Sequence, residues 1–254
     1  MINYKVIFSY FGQNYSGMQY QPCHVTVEGT ILTALSKIYK RDVKIVPAGR
    51  TDAGVHASEQ VFSFKIDHEI DEEKLLLALN RYLPIDIRIK RIEQVDYSFH
   101  ARRSAKSREY QYLFYYNEIL PYFLDQVSVR IRFQPDETLF DGIERILTGT
   151  HNFVNFRKLG SNEKSTIRTI DKVELTKICI NDIFDSAQSY AVYKLLIKAD
   201  SFLYGMVRNL VGALWQVLKH KRTLGEFKEM LDCVNKFSYS MASAKGLTLV
   251  KVNY

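Results

Sequence analysis

The sequence predicts an α+β protein built as two ferredoxin-like lobes. Each lobe runs β-α-β-β-α-β, the repeat of that order suggests a pseudo-twofold relation, and a cleft between two such sheet-bearing halves is a natural place for a ligand. Three observations predict this. Several stretches alternate apolar and polar residues, as half-buried strands do. Others place apolar residues at helical spacing. The order of these stretches is then run through twice along the 254 residues.

In the first half, Tyr4, Val6, Phe8 and Tyr10 share one face of a strand over residues 3–11. Thr26 is placed to cap a helix whose apolar face carries Val27, Ile31, Leu35 and Ile38. "VKIVPAG" reads as a short strand. "QVFSFKI" alternates again through Phe62, Phe64 and Ile66. "DEEKLLLALNRYL" is a helix with acids in its first turn, where the macrodipole favours them. "DIRIKRIEQV" closes the first set as a strand.

The second half repeats the order. "EYQYLFYY" aligns Tyr110, Tyr112, Phe114 and Tyr116 on one strand face. "ETLFDGIERILTG" is a helix through Leu139, Ile143 and Ile146. "IDKVELTKICI" and "SYAVYKLLIKA" are strands. A long helix over 202–219 carries Val207, Leu210, Val211, Leu214 and Leu218 in phase, and a short helix follows near 223–234. "GLTLVKVNY" is the last strand. No Pro/Gly-rich linker separates the halves. The charged join "SFHARRSAKSRE" divides residues 1–104 from 105–254 as two intimately joined lobes.

Composition narrows the function classes. Hydrophobic residues make up 46% of the chain, with 15 Phe and 17 Tyr, so a sizeable core can form. The net charge of +7 with so many aromatics suits a polyanion, because Lys and Arg neutralise phosphates and tyrosines stack on unpaired bases. The same charge also fits a protein that merely has solvated basic faces. The start lacks an apolar signal core, and no apolar run reaches membrane-span length, so a cytoplasmic protein with no membrane association is expected. Cys23, Cys179 and Cys233 are odd in number and far apart. They read as reduced, mostly buried thiols, not as a disulfide frame or zinc site. The six histidines lack metal spacing, and no Walker or Rossmann glycine pattern occurs, so neither a metal nor a nucleotide cofactor is expected.

"AGRTDAGVHA", residues 48–57, is poor core material. Asp52 follows a strand end and precedes Gly54. Arg50, two positions back, can pair with it, and an ionised carboxylate is the form that attacks an electrophile or takes a proton. The competing reading is an aspartate that fixes its own turn. An aspartic protease would need a second such aspartate. A nucleobase deaminase would need His-x-Glu with Pro-Cys-x-x-Cys, which His56, Glu59 and Pro22-Cys23 do not form. His56 is a residue that shapes the turn.

Further along, Tyr110 projects beside Arg108, either packing across the strand or stacking on an extruded base. Arg208, four residues after Tyr204 on the long helix, is either solvated or a second guanidinium that contacts phosphate or Asp52. Basic clusters lie at Arg102, Arg103, Lys106 and Arg108, at Arg157, Lys158 and Lys164, and at Lys219, Lys221 and Arg222. "RKLGSNEKS" reads as a basic loop that could close over a ligand.

Taken in order, "GRTDAGVHA", "FHARRSAKSREYQY", "HNFVNFR", "FLYGMVRNLVGALWQV" and "ASAKGLTLVKVNY" resemble the motifs of the tRNA pseudouridine synthase A family along nearly the whole chain. The resemblance implies two ferredoxin-like lobes, a homodimer, no cofactor, and isomerisation of uridines 38, 39 and 40 in the tRNA anticodon stem-loop. It sets Asp52 on the catalytic aspartate, Arg50 on its paired arginine and Tyr110 on the active-site tyrosine. Arg208 falls on the helix arginine and Leu247 on an apolar residue lining the pocket. Met18, Glu28 and Ser243 depart from the residues common in the family, so the preference among uridines is left open. The alternative is a non-catalytic RNA-binding or tRNA-chaperone protein, suggested by the same charge and aromatics. A pure binder gains little from a carboxylate facing phosphates.

Overall fold

The computed structural model describes residues 1–116, 119–158, 160, 164–182, 184–185 and 187–254. The chain divides into two compact units, residues 1–106 with 248–254, and residues 107–247.

The first unit contains β1 (Ile2–Tyr10), α1 (Val27–Tyr39), β2 (Ile45–Pro47), β3 (His56–Ile66), α2 (Glu72–Tyr82) and β4 (Ile87–Val95). Its strands pair antiparallel in the order β4-β1-β3-β2, the arrangement a β-α-β-β-α-β chain adopts in a ferredoxin-like sheet. The alternation read in β1 is its packing: Tyr4, Val6, Phe8 and Tyr10 are all buried. Tyr4 stacks on Phe64 at 5.2 Å, and Phe8 meets Phe62 edge-on at 5.4 Å. Such aromatic pairs add to the area they bury. Thr26 caps α1 by accepting from the Gly29 N–H. Val27, Ile31, Ala34 and Leu35 face the core, with Ile38 only half-buried. Asp71 caps α2, which buries Leu75 and Leu79.

The second unit contains β5 (Ser107–Tyr116), α3 (Tyr122–Asp125), β6 (Val129–Ile131), α4 (Phe140–Leu147), β7 (Gly149–Asn152), β8 (Ile167–Asn181), β9 (Ser189–Ala199), α5 (Met206–Leu218) and α6 (Leu224–Leu231). Its strands run β5-β9-β8-β7, antiparallel, with the short β6 parallel to β5. The core joins Tyr112 and Phe114 on β5 to Leu195 and Ile197 on β9, and α4 and α5 supply Ile143, Leu147, Leu210 and Leu214. The Trp215 ring meets Tyr112 and Phe114 edge-on.

In chain order the repeat closes with β10 (Leu247–Asn253). Residues 248–254 group with the first unit, because β10 runs parallel to β3 through Thr248–His56 and Leu249–Ala57. Sequence order alone assigns them to the second lobe, and the long-range β10–β3 pairing overrides it.

Other details differ from the sequence reading for local reasons. A 3-10 turn over Glu137–Leu139 precedes α4 and shifts its phase, so Phe140, Ile143 and Leu147 are buried instead of Leu139 and Ile146. The long helix begins at Met206, not at 202. Gly205 sits at φ +70°, outside helical geometry, and Tyr204 therefore lies ahead of the helix. All three cysteines are exposed, against the expectation of buried thiols. Cys23 and Cys233 occupy left-handed turn positions, and Cys179 lies on the outward face of β8. Much of the expected closing loop, at 159 and 161–163, lies outside the described residues. Among the described residues, no helix is long and apolar enough to cross a membrane.

Candidate active site

Asp52 lies on the loop between β2 and β3. The loop is tied down on both sides of Asp52. Ala48 donates its N–H to Val61 O at 2.8 Å, and the Gln60 amide donates to Gly49 O. Thr51 points inward: its hydroxyl meets the Tyr10 hydroxyl at 2.7 Å, and its carbonyl accepts from the Met18 N–H at 3.1 Å. Burial pushes the Tyr10 phenol up to about 12, outweighing hydrogen bonds from Thr51 and Gln60, so it acts as a neutral partner.

The turn itself closes with the Val55 N–H on Asp52 O at 3.2 Å. Gly54 occupies its third position at φ +79°, a conformation that glycine takes without steric cost. His56 is 3% exposed and opens β3. Its Nδ1 accepts from the Gly12 N–H at 3.0 Å, so any proton on the neutral ring is on Nε2, and the Phe11 ring packs on it at 4.5 Å. His56 thus shapes the turn, as the sequence suggested. Gly12 is a site residue that the sequence reading does not single out. A Cβ at Gly12 would stand 2.0 Å from Val55 O, so only glycine allows this approach. The visible signal is a glycine directly after a strand.

Beside the anchored Thr51, Asp52 is half-exposed and Arg50 exposed. Among the described residues Arg50 holds no ion pair.

The second unit carries the other three residues. Tyr110 on β5 lies opposite Ile197, half-exposed, with its ring edge-on to Phe202 at 4.9 Å. Beside it, Arg108 donates to Asp200 O at 2.9 Å. Arg208 on α5 is half-buried, not simply solvated. Its Nε donates to Ala242 O at 2.8 Å, while the Ala242 N–H donates to Arg208 O at 3.1 Å. Leu247 is 6% exposed at the start of β10.

Arg208 therefore fixes the segment that leads to Leu247. Two further clamps hold that segment and have no signature in the sequence. The buried Tyr112 hydroxyl donates to Ser243 O at 2.9 Å. Burial raises its pKa, with the Arg208 charge opposing. Lys245 donates to Asp125 at 2.8 Å, and Asp125 also accepts from Tyr115 at 2.6 Å. No sequence spacing links Lys245 to a carboxylate so far back in the chain.

The structure thus places Arg50 and Asp52 on one anchored loop of the first unit, and Tyr110, Arg208 and Leu247 in the second. Comparison with known proteins identifies what such a chain does. The sequence model described as tRNA pseudouridine synthase matches residues 6–102 and 144–254, which include Arg50, Asp52, Arg208 and Leu247, with Tyr110 falling between the matched ranges. A tRNA pseudouridine synthase A of Limosilactobacillus reuteri is 35% identical over 258 residues, covering 100% of this chain and 97% of its own. That of Thermodesulfovibrio yellowstonii is 36% identical over 259 residues, with both chains fully covered. That of Mycoplasmoides gallisepticum is 38% identical over 253 residues, covering 99% and 91%. The class of protein is therefore an isomerase that acts on tRNA. The chain belongs to the tRNA pseudouridine synthase family.

Proposed function

We propose that this protein isomerises uridines 38, 39 and 40 of the tRNA anticodon stem-loop to pseudouridine, with Asp52 as the catalytic carboxylate. One observation carries the assignment: Asp52 sits, partly exposed, on a loop whose neighbours Thr51 and Val55 are held by hydrogen bonds.

The reaction breaks N1–C1′ of the uridine, turns the uracil and forms C5–C1′. The hydrogen of C5 leaves and N1 ends as N–H, so no atom is gained or lost and no redox partner is consumed. Asp52 acts by attacking C6 or C1′, or by promoting proton loss at C2′. The target base lies in a stem and must first be flipped out. Tyr110 stacks on it. Arg50, which holds no ion pair among the described residues, helps hold the stem open. Arg208 and Leu247 complete the pocket, Arg208 through its charge and Leu247 as an apolar wall. The basic clusters bind phosphates, which position the RNA without reading its sequence. The working form is a homodimer in the cytoplasm, and the chemistry requires no cofactor.

The test is Asp52→Asn, assayed on unmodified tRNA with pseudouridine mapped by position. The expected result is no pseudouridine at 38–40 with tRNA binding retained. Substantial turnover by this variant would overturn the assignment.

A further inference from the structure

A groove of about 590 Å³ runs along α1 in the first unit. Tyr20, Gly29, Ser36, Lys37, Lys40 and Asp42 line it. Two of the residues that depart from the family pattern explain how it is built. Met18 is fully buried, so it presents no side chain to a ligand. Its N–H is tied to Thr51 O, and its carbonyl accepts from the Glu28 N–H at 2.9 Å. The Glu28 carboxylate in turn accepts from the Tyr20 N–H at 2.8 Å. Residues 18–20 are thus stapled between the loop of Asp52 and α1. The Tyr20 ring is laid against Gly29 and left 56% exposed.

A large aromatic ring held in place yet left in water has an unused stacking face. The polar groups around it are unused as well. Among the described residues, the hydroxyls of Tyr20 and Ser36, the Lys40 ammonium and the Asp42 carboxylate make no hydrogen bond or ion pair. Lys37 extends over the Tyr82 ring at 5.8 Å. Lys40 ends α1 in a left-handed conformation. The lining therefore offers an aromatic face, two ammonium groups and one acceptor. A plain anion has no use for Asp42. A ribonucleotide uses all three: its base stacks, its phosphate takes the cations, and its ribose hydroxyl donates to a carboxylate.

We propose that this groove is a second RNA subsite. It takes a ribonucleotide of the bound tRNA other than the target uridine, with the base on Tyr20, the phosphate on Lys37 and Lys40, and the ribose hydroxyl on Asp42. Glu28 is a positioning residue that presents Tyr20. The inference rests on the tRNA reading above and adds where else the substrate is held.

The experiment measures equilibrium binding of unmodified tRNA and, separately, kcat and KM for pseudouridine formation. It compares wild type, Tyr20→Ala, Glu28→Ala, Glu28→Gln, Lys37→Gln with Lys40→Gln, and Lys74→Gln as a control for charge loss elsewhere on the unit. Tyr20→Ala is expected to weaken binding and raise KM about tenfold with kcat unchanged. Glu28→Ala should follow it, and Glu28→Gln, which keeps an acceptor, should restore most of the loss. The lysine pair should weaken binding and flatten its salt dependence, by a slope of about 0.7–0.9 for each phosphate no longer neutralised. Lys74→Gln should do neither. Wild-type binding and KM in Tyr20→Ala and in the lysine pair would overturn the subsite. Absence of pseudouridine with the wild-type protein would instead overturn the tRNA reading. The binding arm would still decide whether the groove holds RNA.

Discussion

The loop that precedes β3 in the first unit and the segment that precedes β10 in the second both carry proposed site residues to their positions, but by different means. Around Asp52 the fixing contacts are mostly to backbone groups, made with Tyr10, Gln60 and His56 of the same unit, together with a close approach that only Gly12 permits. Around residues 242–246 they are long side chains: Arg208 from α5 and Tyr112 from β5 reach in, and Lys245 reaches out to Asp125 on α3. A backbone-built loop has few ways to relax, because each atom is also part of the chain. A segment clamped by side chains can lose one clamp and keep the others. The first arrangement suits a carboxylate that must be aimed. The second tolerates adjustment and depends on pH and polar bonding.

The sharpest way to break this contrast is Gly12→Ala. The new Cβ would meet Val55 O at 2.0 Å, so the 52–55 turn or the chain at 11–12 must move. A cost of about 1–3 kcal/mol is expected, with a lower Tm and most of the activity lost. Thermal unfolding and turnover on unmodified tRNA check it. A variant with normal Tm and full turnover would mean the loop is not backbone-locked.

Arg208→Lys probes the clamped segment. It keeps the charge but loses the Nε donor that meets Ala242 O. The expected loss is about 1–2 kcal/mol of stability, smaller than for Gly12→Ala, together with reduced turnover. An unchanged Tm would show that the reciprocal Ala242 N–H bond, with the Tyr112 and Lys245 clamps, holds the segment without the Arg208 Nε.

The contrast also explains what can be read from the sequence. The strands and helices are legible because their burial follows periodicity, as in β1, where all four aligned residues are buried. The loop of Asp52 is legible as a turn because Gly54 and Asp52 are local turn residues. The side-chain clamps are not. Tyr112 meets Ser243 across 131 positions and Lys245 meets Asp125 across 120, and no local pattern encodes such pairs. Helical phase carried through Gly205 starts α5 too early, and the 3-10 turn ahead of α4 hides its true phase. The cysteines mislead because their residue type favours burial while two of them occupy left-handed turns.

Tyr112→Phe is the next smaller step. It leaves the ring packed against Trp215 and removes only the donor to Ser243 O. About 1 kcal/mol of stability should be lost, measured by denaturant unfolding, with the slope of the transition unchanged. A loss near zero would mean that water replaces the hydroxyl.

The smallest effect expected is the one that distinguishes the two regions by pH. Burial by itself would raise the Asp125 pKa, but the hydrogen bonds from Lys245 and Tyr115, with the Lys245 charge, lower it below the ordinary carboxylate value. The Tyr115 phenol moves the other way, to about 12, through burial and its bond to Asp125. Because the folded-state pKa of Asp125 is depressed, its contribution is fully present above the ordinary value. It is lost as pH falls through the lower folded value. The pair is about a third exposed, at 32% for Lys245 and 34% for Asp125, so solvent screening holds the contribution to about 1 kcal/mol or less. Asp125→Asn should therefore lower stability slightly at neutral pH and flatten its fall as pH drops below the ordinary carboxylate value of about 4. The backbone contacts around Thr51 contain no carboxylate, so Thr51→Ser, which keeps the hydroxyl facing Tyr10, should leave that acid limb unchanged. Parallel acid unfolding curves for wild type and Asp125→Asn would show that the Lys245 clamp contributes nothing to the second segment, whose position would then rest on Arg208 and Tyr112.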